Sequence, residues 1–312
     1  MALSMMVAGC AAIQAPPGDA PGPPHMDNDF FIARDGMKLP LRHWDSDGKP
    51  RAIILALHGM SDYSNAFDMP GKQWAGMGIT TLAFDQRGFG SSANQGVWAG
   101  NDVMRADLGD FIGAARARYP GVPVFALGES MGGAVLLSAL ADSGAPKLDG
   151  AILVAPAVWS RGDMPVTYRV ALFLAAHLVP GMILSNNAAS RVVTIIPSDN
   201  IPMLRALGRD PLFQKQTRAD ALFGLVNLMD EARAAPQKLP PALPPILLMT
   251  GLKDQIIPQD ATAGVVTELG ARAEIRHYPN GYHMLLRDLE GPAVNKDVAD
   301  WVLAKVPPPQ PK

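Results

Sequence analysis

The sequence predicts an α/β fold: a mostly parallel sheet covered by helices, interrupted late in the chain by a helical insertion. Three observations carry this prediction. Short apolar runs rich in branched residues recur along the chain, segments of helical period separate them, and the alternation breaks once, between Ala157 and Pro245. Strands alternating with helices form βαβ units, which place helices on both faces of a parallel sheet.

The bulk composition supports a globular chain and narrows its partners. With 312 residues, 48% hydrophobic and 18% charged, the chain is long and apolar enough to bury a core. A net charge of -2 gives no field that would gather nucleic acid, so none is expected as a partner. The lone cysteine, Cys10, excludes an intrachain disulfide framework and any multi-cysteine metal site. The six histidines lack metal-binding spacing, so no metal and no cofactor is expected.

The opening stretch, 1–25, changes character at Cys10, from small and apolar to rich in Pro, Gly and Ala. Val7, Ala8, Gly9 and Cys10 resemble the end of a bacterial lipoprotein signal. On that reading Cys10 is acylated and the following residues tether the chain to a membrane of the cell envelope. The competing reading is a frayed terminus with an incidental cysteine on a cytoplasmic protein.

From Asp29 the pattern tightens. "FFIARDGMKLPLRHW" reads as two short strands around an Asp35-Gly36 turn. "AIILALHG", 52–59, is a continuous branched run suited to a strand buried on both faces, and "ITTLAFD", 79–85, repeats the form. Between Asp102 and Tyr119, Val103, Ala106, Leu108, Phe111, Ile112 and Ala115 fall at helical spacing, ended by Pro120-Gly121. Strands follow at 123–128, 150–156 and 244–251, with a helix from Met131 to Leu140 and a last strand near 274–278. Within the insertion, the apolar part from Val170 to Val179 is too short to cross a bilayer.

Chemistry concentrates at "FALGESMGGAVLL". Gly128-Glu129-Ser130-Met131-Gly132 matches G-x-S-x-G, placed after a predicted strand and opening a predicted helix. There a serine is forced onto a tight, strained turn, and neighbours two positions away must lack side chains, which assigns Gly128 and Gly132 to the nucleophile elbow. A serine that merely capped the helix would need no acid and base downstream. Both are present: Asp254 directly follows a buried strand in "LLMTGLKDQIIP", and His283 lies in "HYPNGYHMLLRD" after the last strand. A hydroxyl is a poor nucleophile at neutral pH, so His283 is expected to take its proton, with Asp254 holding the imidazole tautomer. The backbone N–H groups of Met131, just after the nucleophile, and Met60, after the strand-ending His58-Gly59, are the expected oxyanion donors.

Other titratable residues have structural readings. Asp85 is expected to order the Arg87-Gly88 turn, Asp260 and Asp288 to be solvated carboxylates, His177 and His277 to pack or lie on the surface, and His58 to support the oxyanion loop.

With these residues in place, the chain resembles an α/β-hydrolase of the monoacylglycerol lipase and lysophospholipase group. The matching pieces, "HGMSDYSNAF", "FDQRGFGSS", "GESMGGAV", "GLKDQIIP" and "NGYHMLLRD", occur in family order between about residues 29 and 305. The resemblance implies an eight-stranded sheet, a helical cap after the sixth strand, and hydrolysis of fatty-acyl esters through an acyl-enzyme. By position it carries over Ser130, Asp254 and His283 as the triad and Met60 and Met131 as oxyanion donors. Glu129 departs from the histidine often found before the serine in animal members, though glutamate also occurs there in bacterial and plant relatives. The implied division is a terminal stretch, 1–25; core, 26–156; cap, 157–245; core, 246–306; and a disordered tail, 307–312. The expected partner is a small-molecule acyl ester or lipid. The cap's Leu172, Phe173, Leu178, Met182, Ile183, Leu222, Phe223, Leu225 and Leu228 either line an acyl tunnel or pack on the sheet. The triad alone leaves open a peptidase or acyltransferase on the same scaffold. A non-catalytic lipid-binding protein would usually lack a triad member, and none is missing here.

Overall fold

The computed structural model describes residues 13–185 and 195–306. Cys10 and the tail from 307 lie outside these, so the expected lipid anchor and disordered end lie outside the described residues. The strands of the main sheet are β1 (His25–Met26), β2 (Phe30–Ile32), β3 (Lys38–Trp44), β4 (Ala52–Leu57), β5 (Ile79–Phe84), β6 (Val124–Glu129), β7 (Gly150–Val154), β10 (Ile246–Gly251) and β11 (Ala273–Tyr278). Their order across the sheet is β1-β2-β3-β5-β4-β6-β7-β10-β11. From β5 to β11 all neighbours are parallel, while β1, β2 and β3 add antiparallel at one edge. The expected eight strands are thus joined by the two-residue β1.

The two-residue period of the strands builds two cores. Ile53, Leu55 and Leu57 of β4 face one side; Ala52, Ile54 and Ala56 face the other. On the first side lie α2 (Asn101–Arg118) and α3 (Met131–Leu140), bringing Leu108, Phe111, Leu136 and Leu137. On the second, α1 (Asp68–Ala75) and the C-terminal helix (Gly291–Leu303) bring Trp74, Val298 and Trp301. Both sheet faces are therefore dry, which is why the strand sequences read as unbroken apolar runs.

The insertion lies between β7 and β10 and is not wholly helical. It contains α4 (Val166–Leu178), β8 (Ile183–Ser185), α5 (Ile201–Leu207), β9 (Gln216–Arg218) and α6 (Ala219–Ala234), with β8 and β9 pairing antiparallel. The helix α7 (Gln259–Leu269) then follows β10, and the C-terminal helix is α8. Among the described residues no helix is long and apolar enough to cross a membrane.

The stretch before β1 is less free than a tether would be. Ala15 N donates to Trp98 O at 2.8 Å, Gly22 N to Arg34 O at 2.9 Å, and Gly18 N to the Asp35 carboxylate at 2.9 Å. Ala20 N adds a longer bond to Asp35 O, at 3.3 Å.

Candidate active site

The site forms where the sheet order reverses. The chain leaves β4 for β5 on one side and returns to β6 on the other, so the carboxyl ends of β4 and β6 diverge into a crevice. Glu129 ends β6, Met131 begins α3, and Ser130 alone makes the turn, with φ 53° and ψ -115°. A side chain in this region costs on the order of 1–3 kcal/mol and persists only where the surroundings over-determine it. Here Ser130 N donates to Val154 O at 3.0 Å, and Ser130 O accepts from Ala134 N and Ala157 N, each at 3.0 Å. The flanking glycines permit the close crossing. A Cβ on Gly128 would meet Gly133 N at 2.5 Å, and one on Gly132 would meet the Leu57 carbonyl carbon at 2.6 Å.

Ser130 does not cap α3 with its side chain. Its Oγ lies 2.9 Å from His283 Nε2, and His283 Nδ1 lies 2.8 Å from Asp254 Oδ2. The other oxygen of Asp254 accepts from Ile256 N at 2.7 Å and Ile257 N at 3.1 Å, which fixes the carboxylate in its loop. A carboxylate accepts only, so it holds the proton on Nδ1 and leaves Nε2 free to accept from the serine. The structure thus brings together three residues from the loops after β6, β10 and β11, with the histidine and carboxylate side chains 7% and 6% exposed.

Met60 and Met131 flank the same hydroxyl. A Cβ on Gly59 would stand 3.2 Å from Ser130 Cβ and 3.7 Å from its Oγ, so the backbone entering Met60 passes directly beside the serine. Among the described residues the N–H groups of Met60 and Met131 donate to no other group. His58 holds this turn: its Nδ1 donates to Gly59 O at 2.9 Å and its Nε2 accepts from Gln86 N at 3.0 Å. Burial pushes its pKa down, which keeps the ring neutral as this bonding requires.

Asp85 closes the turn that carries Arg87 and Gly88: its Oδ2 accepts from Ser91 N at 2.8 Å across it and its Oδ1 from Ser64 N and Ser64 Oγ, while the Arg87 guanidinium itself pairs with Asp35 and Asp107. One expectation for a neighbouring carboxylate is corrected. Asp288 is not solvated but 1% exposed, accepting from Ser198 Oγ at 2.6 Å and Tyr282 N at 2.7 Å. Burial pushes its pKa up to about 6. Asp260 is exposed in the first turn of α7, His177 stacks on Phe173, and His277 meets Thr250 Oγ1 at 2.7 Å.

A cavity of about 600 Å³ opens over Ser130 and His283, walled by Met164, Leu172, Leu222 and Leu225 of the insertion. The nine apolar insertion residues therefore divide. Leu172, Leu222 and Leu225 line the cavity, Leu228 is fully buried in the core, Phe223 packs against His177, and Phe173, Leu178, Met182 and Ile183 are exposed.

One part of the site was not foreseen. Arg287 Nη2 lies 2.8 Å from Asp62 Oδ2 and 3.1 Å from Glu129 Oε2, all three side chains at most 6% exposed. The guanidinium joins the loop after β4, the turn at Ser130 and the His283 loop at one end of the cavity. Burial pushes the Glu129 pKa up, and Arg287 opposes this. The available signal was an arginine closing the apolar run "HMLLR", since a charge in such a run is buried only with a partner.

The comparisons agree with this architecture. The family model described as "Serine aminopeptidase, S33" matches residues 48–290. The chain is 26% identical to the monoglyceride lipase of Homo sapiens over 85% of this chain and 86% of that one. It is 26% identical to the monoacylglycerol lipase of Mycolicibacterium smegmatis, over 88% and 96%. Among solved structures, a soluble variant of monoglyceride lipase from Saccharomyces cerevisiae superposes with a TM-score of 0.71 at 19% identity, over 92% of this chain and 96% of that one. The chain therefore belongs to the α/β-hydrolase family that this model describes, monoacylglycerol lipase-like within it, and is a carboxylic ester hydrolase.

Proposed function

We propose that the chain hydrolyses long-chain monoacyl esters, of monoacylglycerol or lysophospholipid type, with Ser130 as nucleophile, His283 as base and acid, and Asp254 as its orienting partner. The observation that carries this reading is the unbroken contact Ser130 Oγ to His283 Nε2 to Asp254 Oδ2, at 2.9 and 2.8 Å, opening into an apolar cavity. Ser130 Oγ attacks the ester carbonyl carbon as its proton passes to His283 Nε2. The N–H groups of Met60 and Met131 receive the oxyanion. The tetrahedral species expels the alcohol, which takes the proton from Nε2 and leaves an acyl-Ser130 ester. Water then attacks that ester, gives its proton to Nε2, and the fatty acid leaves as the proton returns to Ser130.

The cavity's apolar walls support a fatty-acyl substrate over a peptide, because an alkyl chain gains from burial along such walls whereas a peptide's amides would be buried there without partners. Purified protein is expected to release fatty acid from monoacylglycerol and to label with a fluorophosphonate at Ser130. Ser130→Ala is expected to lose both; retained hydrolysis in that variant removes the assignment. Products formed with water, alcohols and amines in competition separate hydrolase from acyltransferase or peptidase. We also propose the Cys10 lipid anchor in a bacterial envelope, tested by fatty-acid labelling that Cys10→Ala abolishes.

A further inference from the structure

The loop that carries His283 has no regular structure of its own, from Pro279 to Glu290. A side chain that must stay within bonding reach of Ser130 is therefore held by something other than a ladder. The two amides flanking His283 show what holds it. Met284 N donates to Pro197 O at 2.9 Å, and Tyr282 N donates to Asp288 Oδ2 at 2.7 Å, whose other oxygen accepts from Ser198 Oγ at 2.6 Å. Ser198 is fully buried and Asp288 is 1% exposed, so no water competes for these bonds. Pro197 and Ser198 belong to the return of the insertion toward α5. The same return reaches the acid loop, where Ile196 N donates to Gln255 Oε1 at 3.0 Å, next to Asp254. It fastens the far end of the His283 loop as well: Asn200 Nδ2 donates to Arg287 O at 2.9 Å, and Leu289 N to Asp199 Oδ1 at 2.8 Å.

We propose that residues 196–200 are a clasp that sets His283 against Ser130, and that Ser198 and Asp288 are its positioning residues. The inference rests on the catalytic reading of Ser130 and His283. Neither positioning residue touches the reacting atoms; both act through the backbone on one side of His283. A small rotation at Tyr282 would swing the imidazole off the serine, so losing the clasp should slow proton transfer and leave substrate binding in the cavity unchanged.

The test uses the full chain, wild type and the variants Ser198→Ala, Asp288→Ala and Asp288→Asn. It reads kcat and KM for p-nitrophenyl butyrate, the rate of fluorophosphonate labelling at Ser130, and the melting temperature. Asp288→Ala is expected to lower kcat and the labelling rate together by about a hundredfold, the loss that a misplacement near 1 Å brings, with KM within about twofold. Ser198→Ala removes one charge-assisted bond and should cost about tenfold in kcat. Asp288→Asn can still accept from Tyr282 N and donate to Ser198 Oγ, so it should stay within about fivefold of wild type. Should Asp288→Ala not fold, Ser198→Ala decides alone. Folded Ser198→Ala at wild-type kcat, a rise in KM at constant kcat, or Asn and Ala at 288 losing equally would each overturn the clasp. Wild-type protein that never labels at Ser130 would instead overturn the catalytic reading beneath it.

Discussion

Replacing Gly132 with alanine should disable the site while leaving its titratable groups intact. An alanine Cβ there would lie 2.6 Å from the Leu57 carbonyl carbon and 2.7 Å from Leu57 Cβ, and closer still to Leu57 O. Carbon atoms in contact prefer about 3.5–4.0 Å, so the start of α3 and the end of β4 must part by about 1 Å. That displacement falls between Met131, at the start of α3, and Met60, beyond the end of β4, and it also shifts Ser130 from His283. Misplacement of this size costs about a hundredfold in rate, or about 2.7 kcal/mol of transition-state stabilisation. Overpacking costs a further 1–3 kcal/mol or so of folding stability. Kinetics with a p-nitrophenyl ester and urea unfolding read the two effects separately. Gly113→Ala is the control, since a Cβ there on the exposed face of α2 meets nothing within 4 Å and should add about 0.5–1 kcal/mol of stability without touching kcat. Gly132→Ala with wild-type kcat and an unchanged urea midpoint would show that the elbow does not depend on this backbone approach.

Arg287→Met would leave Asp62 and Glu129 buried without their cation, and urea unfolding should show a loss of about 3–5 kcal/mol. Leu225→Trp, in the cavity wall, should raise KM for long-chain monoacylglycerols far more than for butyrate esters, read by comparing acyl lengths. The pKa of Asp288 is about 6 in the folded chain, raised by burial against the bonds from Ser198 and Tyr282, with Asp199 raising it further and Arg287 lowering it. A raised carboxylate binds a proton in the folded state that the unfolded chain has released, so its contribution is complete below about pH 4 and fades as pH rises through 6. Relative to wild type, Asp288→Asn should therefore gain stability between pH 4 and 7 in urea titrations, and a difference that stays constant with pH would contradict this burial effect.

Much of the scaffold was legible in the residues because each strand states its surroundings. "AIILAL" and "GAILV" are apolar at every position, which only a strand covered on both faces requires. The elbow was legible for a local reason too: glycines two positions either side of Ser130 mark a turn where backbones touch. The sequence did not announce the β8–β9 pair, whose three-residue strands lack any period, nor the docking of residues 14–22, which depends on acceptors at 34, 35 and 98. It also misplaced Asp288 in solvent, since the serine that buries it comes from the insertion, 90 residues away.

What the amino-acid order by itself determined is the inventory and its sequence along the chain: buried strands, a glycine-framed serine, then an acid and a histidine each following a strand. Only the tertiary structure decided the distances between them, which apolar insertion residues face the cavity, and how Arg287 and Asp288 are partnered. The physical reason is that periodicity and turn chemistry act over a few neighbouring residues, whereas a hydrogen bond between loops depends on how whole strands and helices pack. Ser130 and His283 are 153 positions apart and meet at 2.9 Å because β6 and β11 lie in one sheet with their carboxyl ends at the same edge.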